Sequence, residues 1–352
     1  MRNRKIIKFG LLGLGTVVKL RIVKLFKSEL KNSKVTAVFD KDLKKTNDYC
    51  KKFNCKINNS EKEFFLKDFD FCYISTPSGS HFQDILKCFR YGKSVIVEKP
   101  PVLKVSQLTQ LNKIAKSKKL DFFVIYQNRE NKAVQFVKKF LMNNRKKEKI
   151  VYANLNLLWS RPQNYYSRWH GKWKDDGGVL SQQGIHYVDL LCYLFGKPIQ
   201  AVSVIENISN KLEAEDTHIG IIKFKGVNCI IGLTTALRPN DLKASIEIYT
   251  QSKIINLYGK ACNKVSIINY DKKNNKLDKL CKKNSQNFSN GVGTSHYKCF
   301  KKIEKKAHNK NQRPLKAIDT MDTLKLVNML YLSSFKKKWI VNSKNLLSRL
   351  GN

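Results

Sequence analysis

Lys99 stands between Glu98 and Pro100, just past the apolar run Ser94–Val97. The proline biases Lys99 toward extended backbone and restricts the turn after it, so the amine is held rather than left to sweep through solvent. Desolvated and near a second positive charge, such a lysine releases its proton more readily and can take one from a hydroxyl. Gln182 and His186 lie four residues apart in an apolar stretch that begins near Val179, so in a helix they project from one face, with Asp189 one turn further on. A histidine there is either a satisfied structural group or a partner in moving the same proton. The third chemical signal is Gly13-Leu14-Gly15-Thr16-Val17-Val18, a G-x-G-x-x-G spacing with valine in place of the last glycine. The first glycine allows a tight turn and the second lets the backbone approach a pyrophosphate, while Thr16 and Val17 open a helix whose first amides face the phosphates. Asp40, 22 residues after Val18, is placed to accept both hydroxyls of an adenosine ribose and to repel a 2′-phosphate. That favours NAD as the cofactor; Lys41, Lys44 and Lys45 nearby keep NADP as the alternative.

These residues need a scaffold, and the chain supplies two patterns. From residue 5 to 127 the apolar runs IIKFGLL, VTAVFD, DFCYIST, SVIVEKP and FFVIYQ alternate with stretches long enough for helices. Strand and helix in alternation predict an α/β domain with a doubly wound parallel sheet, assigned to residues 1–127. Residues 128–352 change character. A long strand candidate, IVYANLNLLWSR, precedes a helix from about Val179 to Phe195, and GIIKF, NCIIGLTTAL, SIEIYT and KIINLYG follow in close succession. This predicts an α+β domain with a large, mostly antiparallel sheet for substrate binding and oligomerisation. The lysine- and asparagine-rich stretch Asp271–Asn290 reads as an exposed loop, and two helices, about Ser295–His308 and Asp319–Lys337, close the chain.

Composition limits the remaining possibilities. The chain has 352 residues, 42% of them hydrophobic, and 68 Lys and Arg against 27 Asp and Glu give a net charge of +41. The lysines are dispersed rather than gathered into an arm or stripe, which argues against a nucleic-acid partner and leaves anionic small molecules as the natural ligands. Arg129, Arg161, Tyr165, Tyr166, Trp169 and Arg238 are candidates to hold a diphosphate, a carboxylate or a base, since guanidinium forks match such oxygens and rings stack on bases. The segment from Arg161 to Asp176 is polar and aromatic, too long for a tight turn and suited to closing over substrate or reaching a neighbouring subunit. No apolar run is long enough to span a membrane. Nine cysteines without a CxxC pair fit a reduced, cytoplasmic protein, and six scattered histidines predict no metal site.

Further motifs carry a resemblance. Ser75-Thr76-Pro77-Ser78-Gly79-Ser80-His81 and Val97-Glu98-Lys99-Pro100 resemble the TPxxxH and EKP strand endings of the Gfo/Idh/MocA oxidoreductase family. So do Gln127-Asn128-Arg129-Glu130-Asn131, Trp159-Ser160-Arg161-Pro162, Trp169-His170-Gly171-Lys172-Trp173, the stretch from Gly177 to Asp189, and Glu215-Asp216-Thr217. The resemblance implies that Thr76, Pro77, His81, Glu98, Lys99, Gln127 and Arg129 line the cofactor. It also implies that Lys99 and His186 are catalytic, with the choice of base left open. Within the family the set is most similar to the branch that oxidises the 3-hydroxyl of a UDP-N-acetylated hexuronic acid for surface-polysaccharide synthesis. Other sugar or inositol oxidation and a non-catalytic NAD-binding sensor are the alternatives. The branch implies a homodimer or homotetramer, and 2-oxoglutarate as the hydride acceptor that some relatives use. Gln182 departs from it, standing where the family has aspartate or asparagine; it is expected to orient the sugar, with Arg161, Tyr165, Tyr166 and Arg238 binding the rest.

Overall fold

The computed structural model describes residues 6–271, 274–288, 295–308, 311–344 and 346–352. The chain divides into two units, 1–126 with 294–319 and 127–293 with 320–352. In the first unit β1 (Ile7–Leu12), β2 (Ser33–Phe39), β3 (Phe71–Ile74), β4 (Ser94–Glu98) and β5 (Phe122–Ile125) form a wholly parallel sheet in the order β2-β1-β3-β4-β5. β3, β5 and the centre of β4 are buried throughout, as expected of parallel strands covered on both faces. The link from β1 to β2 is helical over 16–29, with π-helical stretches at Val18–Ile22 and Leu25–Glu29. Helices α1 (Leu43–Phe53), α2 (Glu61–Leu66), α3 (His81–Arg90) and α4 (Val105–Ser117) complete the crossovers. The side chains of Asp42 and Ser60 cap α1 and α2 by accepting the Lys45 and Glu63 amides. The chain leaves β1 toward β2 on one side and β3 toward β4 on the other. Ligands of open α/β sheets bind beyond the strand ends at such a switch point.

The second unit opens with α5 (Lys132–Asn144) and carries an eight-stranded sheet of β6 (Ile150–Leu158), β7 (Pro198–Glu206), β8 (Thr217–Phe224), β9 (Val227–Thr234), β10 (Lys243–Thr250), β11 (Lys253–Tyr258), β12 (Lys264–Asn269) and β13 (Ile340–Val341). Its order is β12-β11-β10-β6-β9-β8-β7-β13, and only β6 with β9 is a parallel pair. α6 (Ile185–Phe195) lies in this unit between β6 and β7. The stretch expected to be a loop from Asp271 to Asn290 instead contains α7 (Asn275–Asn284) among its described residues. Asn274 caps α7 through its side chain, and Leu277 and Cys281, four residues apart, are its buried anchors.

Two helices follow. α8 (Ser295–Ala307) belongs to the first unit, not to the second as a division at residue 127 assumed. Its Phe300 is fully buried, 6.0 Å from Phe9, 5.7 Å from Phe26 and 5.4 Å from Tyr73 between ring centroids. α9 (Met321–Lys336) belongs to the second unit and packs on β7, where the Ser203 amide and hydroxyl bond Ser333 Oγ and the Leu330 carbonyl. Among the described residues no helix is long and apolar enough to cross a membrane, no group of three His, Cys, Asp or Glu could hold a metal ion, and the cysteines are free thiols.

Candidate active site

The loops after β1, β3 and β4 emerge at the carboxyl ends of adjacent strands. Gly13 has φ +85°, and a Cβ there would lie 2.8 Å from the Ser75 carbonyl carbon and the Thr76 nitrogen, so no other residue fits. Its amide donates to the Phe39 carbonyl at 2.8 Å and its carbonyl accepts the Ser75 hydroxyl at 2.8 Å, tying three strand ends together. At Gly15 a Cβ would meet nothing within 4 Å. The backbone there faces open space, as close approach of a pyrophosphate requires, and Thr16 and Val17 begin the helix behind it. Asp40 is half-buried; its Oδ2 accepts the Leu14 amide at 2.8 Å and its Oδ1 the Asp42 amide at 3.0 Å. Each oxygen has a second lone pair for a ribose hydroxyl, so Asp40 both shapes the glycine turn and suits the nucleotide. The residues present fit a dinucleotide.

Other expected cofactor contacts are committed to the scaffold. The Thr76 hydroxyl donates to Asp84 Oδ2 at 2.7 Å, in the first turn of α3. His81 is 1% exposed, with Nδ1 2.8 Å from the Pro100 carbonyl and Nε2 2.9 Å from that of Thr76. It joins the segment after β3 to the turn after β4, and burial pushes its pKa down against the pull of those two carbonyls. Glu98 Oε1 accepts the Tyr73 hydroxyl at 2.6 Å and lies 3.4 Å from His296 Nε2 of α8. Burial opposes its charge, yet His296 and Tyr73 hold it below the usual carboxylate range. Thr76, His81 and Glu98 therefore brace the turn in which Lys99 sits, half-buried.

In the second unit the helix carrying His186 is more specialised than its spacing suggested. Leu180–Gly184 is a π-helical turn and α6 begins only at Ile185, so Gln182 and His186 are not successive positions of one regular α-helix. Between Asp176 and Cys192 every residue is buried except His186, which is half-buried. The turn is held from below: Tyr331 Oη accepts the Gly178 and Ser181 amides at 3.1 and 3.3 Å and donates to Glu215 Oε1 at 2.9 Å. Glu215 Oε1 also accepts the Leu180 amide at 3.1 Å. Arg129 has a partner within the second unit. Its guanidinium grips the buried Asp189 of α6 through two bonds of 2.7 and 2.6 Å, and Thr323 of α9 adds a third to that carboxylate at 2.9 Å. Gln127, two residues earlier, has its Oε1 buried without a hydrogen-bond partner among the described residues.

The substrate candidates also separate. Arg161 lies over Trp159 and Tyr165, 4.8 and 5.7 Å from their centroids, and donates to Asp241 Oδ1 at 2.8 Å. Burial opposes ionisation of Asp241, but the Ser160 amide and Arg161 hold its carboxyl below its usual range. Gln182 contacts the Tyr165 hydroxyl at 2.7 Å and His170 Nδ1 at 2.6 Å, so Tyr165 and Gln182 are brought together. Tyr166 is a buried packing residue whose hydroxyl pairs with Thr235 Oγ1 at 2.7 Å. Arg238 is exposed and spends one nitrogen on the Leu237 and Thr235 carbonyls and another on Asn210 Oδ1 at 3.1 Å. His170 and Asp176, 2.7 Å apart, were not singled out by the sequence; a pair six residues apart in a loop has no periodic signal.

Comparison with known proteins follows this geometry. Residues 7–126 match the NAD-binding Rossmann fold, and residues 139–341 the C-terminal alpha/beta domain, of one oxidoreductase family. The oxidoreductase P35 of Formosa agariphila is 25% identical over 198 residues, 54% of this chain and 61% of that protein, so the chain matches about three-fifths of its length. The crystal structure of the WlbA dehydrogenase of Bordetella pertussis, in complex with NADH and UDP-GlcNAcA, superposes with a TM-score of 0.87 at 24% identity, over 96% of this chain and 98% of that one. Its counterpart from Chromobacterium violaceum, with the same two ligands, gives 0.89 at 24% identity, over 97% and 98%. Both show the same fold.

Proposed function

The chain belongs to the Gfo/Idh/MocA oxidoreductase family, and we propose that it is an NAD-dependent dehydrogenase that oxidises the 3-hydroxyl of a UDP-N-acetylated hexuronic acid. The observation that carries this reading is likeness along nearly the whole chain to two dehydrogenases whose structures hold NADH and UDP-GlcNAcA. The open backbone at Gly15 and the Asp40 carboxylate support NAD. When bound, NAD supplies a hydride acceptor at its nicotinamide. Gly13, Gly15 and Asp40 hold the cofactor by its phosphates and ribose. Lys99, fixed in its braced turn, and His186, the half-buried position of its segment, receive and pass on the hydroxyl proton. Gln182 and Tyr165 orient the sugar, and Arg161, between two rings, answers negative charge. Gln182 is neutral, so it admits a uronate that an aspartate would repel.

The test is NADH absorbance on mixing the protein with NAD and UDP-N-acetylglucosamine, its 6-uronate, UDP-glucose, UDP-glucuronate or myo-inositol, with and without 2-oxoglutarate. Reduction with the acetamido uronate alone is expected. Lys99→Met and His186→Ala should each lower kcat by about a hundredfold or more while NADH binding persists. Reduction by myo-inositol alone would replace the substrate, and NADH binding without reduction of NAD by any compound would replace enzyme by sensor.

A further inference from the structure

The helical segment that carries His186 starts at Val179 and runs through the π-turn into α6. A helix start leaves about four backbone amides without partners inside the helix, here those of Gly178, Val179, Leu180 and Ser181. A Ser, Thr, Asp or Asn at the cap commonly meets one of them. Position 178 is glycine, and Val179 offers no capping side chain. Two residues distant in sequence meet all of these amides instead. The Tyr331 hydroxyl accepts those of Gly178 and Ser181 at 3.1 and 3.3 Å, the Glu215 backbone carbonyl that of Val179 at 2.9 Å, and Glu215 Oε1 that of Leu180 at 3.1 Å. The hydroxyl spends its one hydrogen on Glu215 Oε1 at 2.9 Å, so its donor and both lone pairs are used. Burial, and then the Glu215 charge, push the Tyr331 pKa up, which keeps that hydrogen in place. Gly178 is required by this close approach: a Cβ there would lie 2.1 Å from the Glu215 carbonyl oxygen and 2.3 Å from its carboxyl carbon. The Tyr331 ring is itself set edge-on to Trp173 and His218, at 5.0 and 5.6 Å between centroids.

We propose that Tyr331 and Glu215 are positioning residues, a cap supplied from α9 and from the approach to β8 that holds the π-turn and so fixes where His186 stands. This rests on His186 handling the hydroxyl proton, as in the function proposed above. Both residues are buried and act through the helix start, not by touching substrate. Loss of these acceptors frees the turn to rewind toward the α-helix that its sequence also suits, which shifts Gln182 relative to His186. A misplacement of about 1 Å in a reacting group costs on the order of a hundredfold in rate.

Tyr331→Phe removes only the hydroxyl and keeps the ring against Trp173 and His218. Ser333→Ala is the matched control on the same helix. Its hydroxyl also accepts a buried amide, that of Ser203 at 3.0 Å, and donates to the Lys338 carbonyl, away from the π-turn. With the sugar that the wild type oxidises, kcat should fall about tenfold or more in Tyr331→Phe with KM for NAD within about threefold, and Ser333→Ala should stay within about threefold in both. Glu215→Asp, which withdraws the carboxylate by one methylene and keeps its charge, should lower kcat in the same direction, and it decides the matter if Tyr331→Phe does not fold. A kcat within about threefold of wild type in folded Tyr331→Phe or Glu215→Asp, or an equal loss in Ser333→Ala, overturns the proposal. If the wild type oxidises no sugar, the functional reading fails on its own and amide hydrogen exchange decides the cap. Residues 178–182 should then exchange about tenfold or more faster in Tyr331→Phe and at the wild-type rate in Ser333→Ala; unchanged exchange in Tyr331→Phe overturns it.

Discussion

Glu98, beside Lys99 in sequence, has its carboxylate between Tyr73 and His296. Its carboxylate is held ionised, below its usual range, by His296 and Tyr73 despite burial. A carboxyl with a lowered pKa in the folded state adds stability that is present above its unfolded pKa and is lost as pH falls through the folded one. Urea midpoints of the wild type should therefore fall as pH drops below about 4.5, the ordinary glutamate value. Glu98→Gln should be less stable than wild type at pH 7 and show a shallower fall below pH 5. Equal slopes in the two proteins would place the acid sensitivity elsewhere. Arg129 likewise has a buried partner that only the fold supplies. The sequence shows a guanidinium in a cofactor motif but not that Asp189, sixty positions on, would claim it. Residue type announced the tight turn at Gly13 and a carboxylate at the end of the neighbouring strand, Asp40, because both depend on local backbone. It could not announce the partners of Thr76, His81 or Arg129, which the fold supplies.

Whole elements were legible where burial imposes a pattern. The five parallel strands read as apolar runs because most of their residues are buried, and β6 and β8 to β11 stood out by their branched aliphatic residues. α7 escaped notice because two apolar anchors, Leu277 and Cys281, are hidden among lysines and asparagines. The π-turn at Leu180–Gly184 escaped because its sequence also suits an α-helix; Tyr331 and Glu215, distant in sequence, hold its amides. In the proposed function, cofactor binding rests on the turn after β1. Gly13→Ala forces a Cβ into the Ser75–Thr76 backbone at positive φ. The expected cost is roughly 1–3 kcal/mol from backbone strain alone, measured by urea unfolding, together with weakened NADH binding. Gly15→Ala, where a Cβ meets nothing, should keep stability and lose NADH affinity. The two substitutions thus separate a glycine needed by the fold from one needed by the ligand, and similar stability losses in both would contradict that assignment.

The molecule as a whole is less divisible than its sequence pattern implied. Residues 1–127 contain every strand of the parallel sheet, yet the core around Phe9, Phe26 and Tyr73 is completed by Phe300 and Ile303 of α8. A fragment ending at residue 127 should show weak near-ultraviolet dichroism, bind a hydrophobic dye and bind NADH poorly. Joining 295–319 to it through a flexible linker should restore cooperative unfolding, and a fragment already cooperative without them would refute the dependence. The face of the second unit's sheet bearing Val204, Ile219, Ile221 and Ile230 leaves these side chains exposed in the single chain. The return of α8 also sets an order in time. A ribosome adds residues from the N-terminus, so the first sheet emerges early but waits some 170 residues for the helix that completes its core. Through that interval the whole of residues 127–293 is made, and the nucleotide fold is the first begun and among the last finished, exposed to chaperones and proteases while it waits.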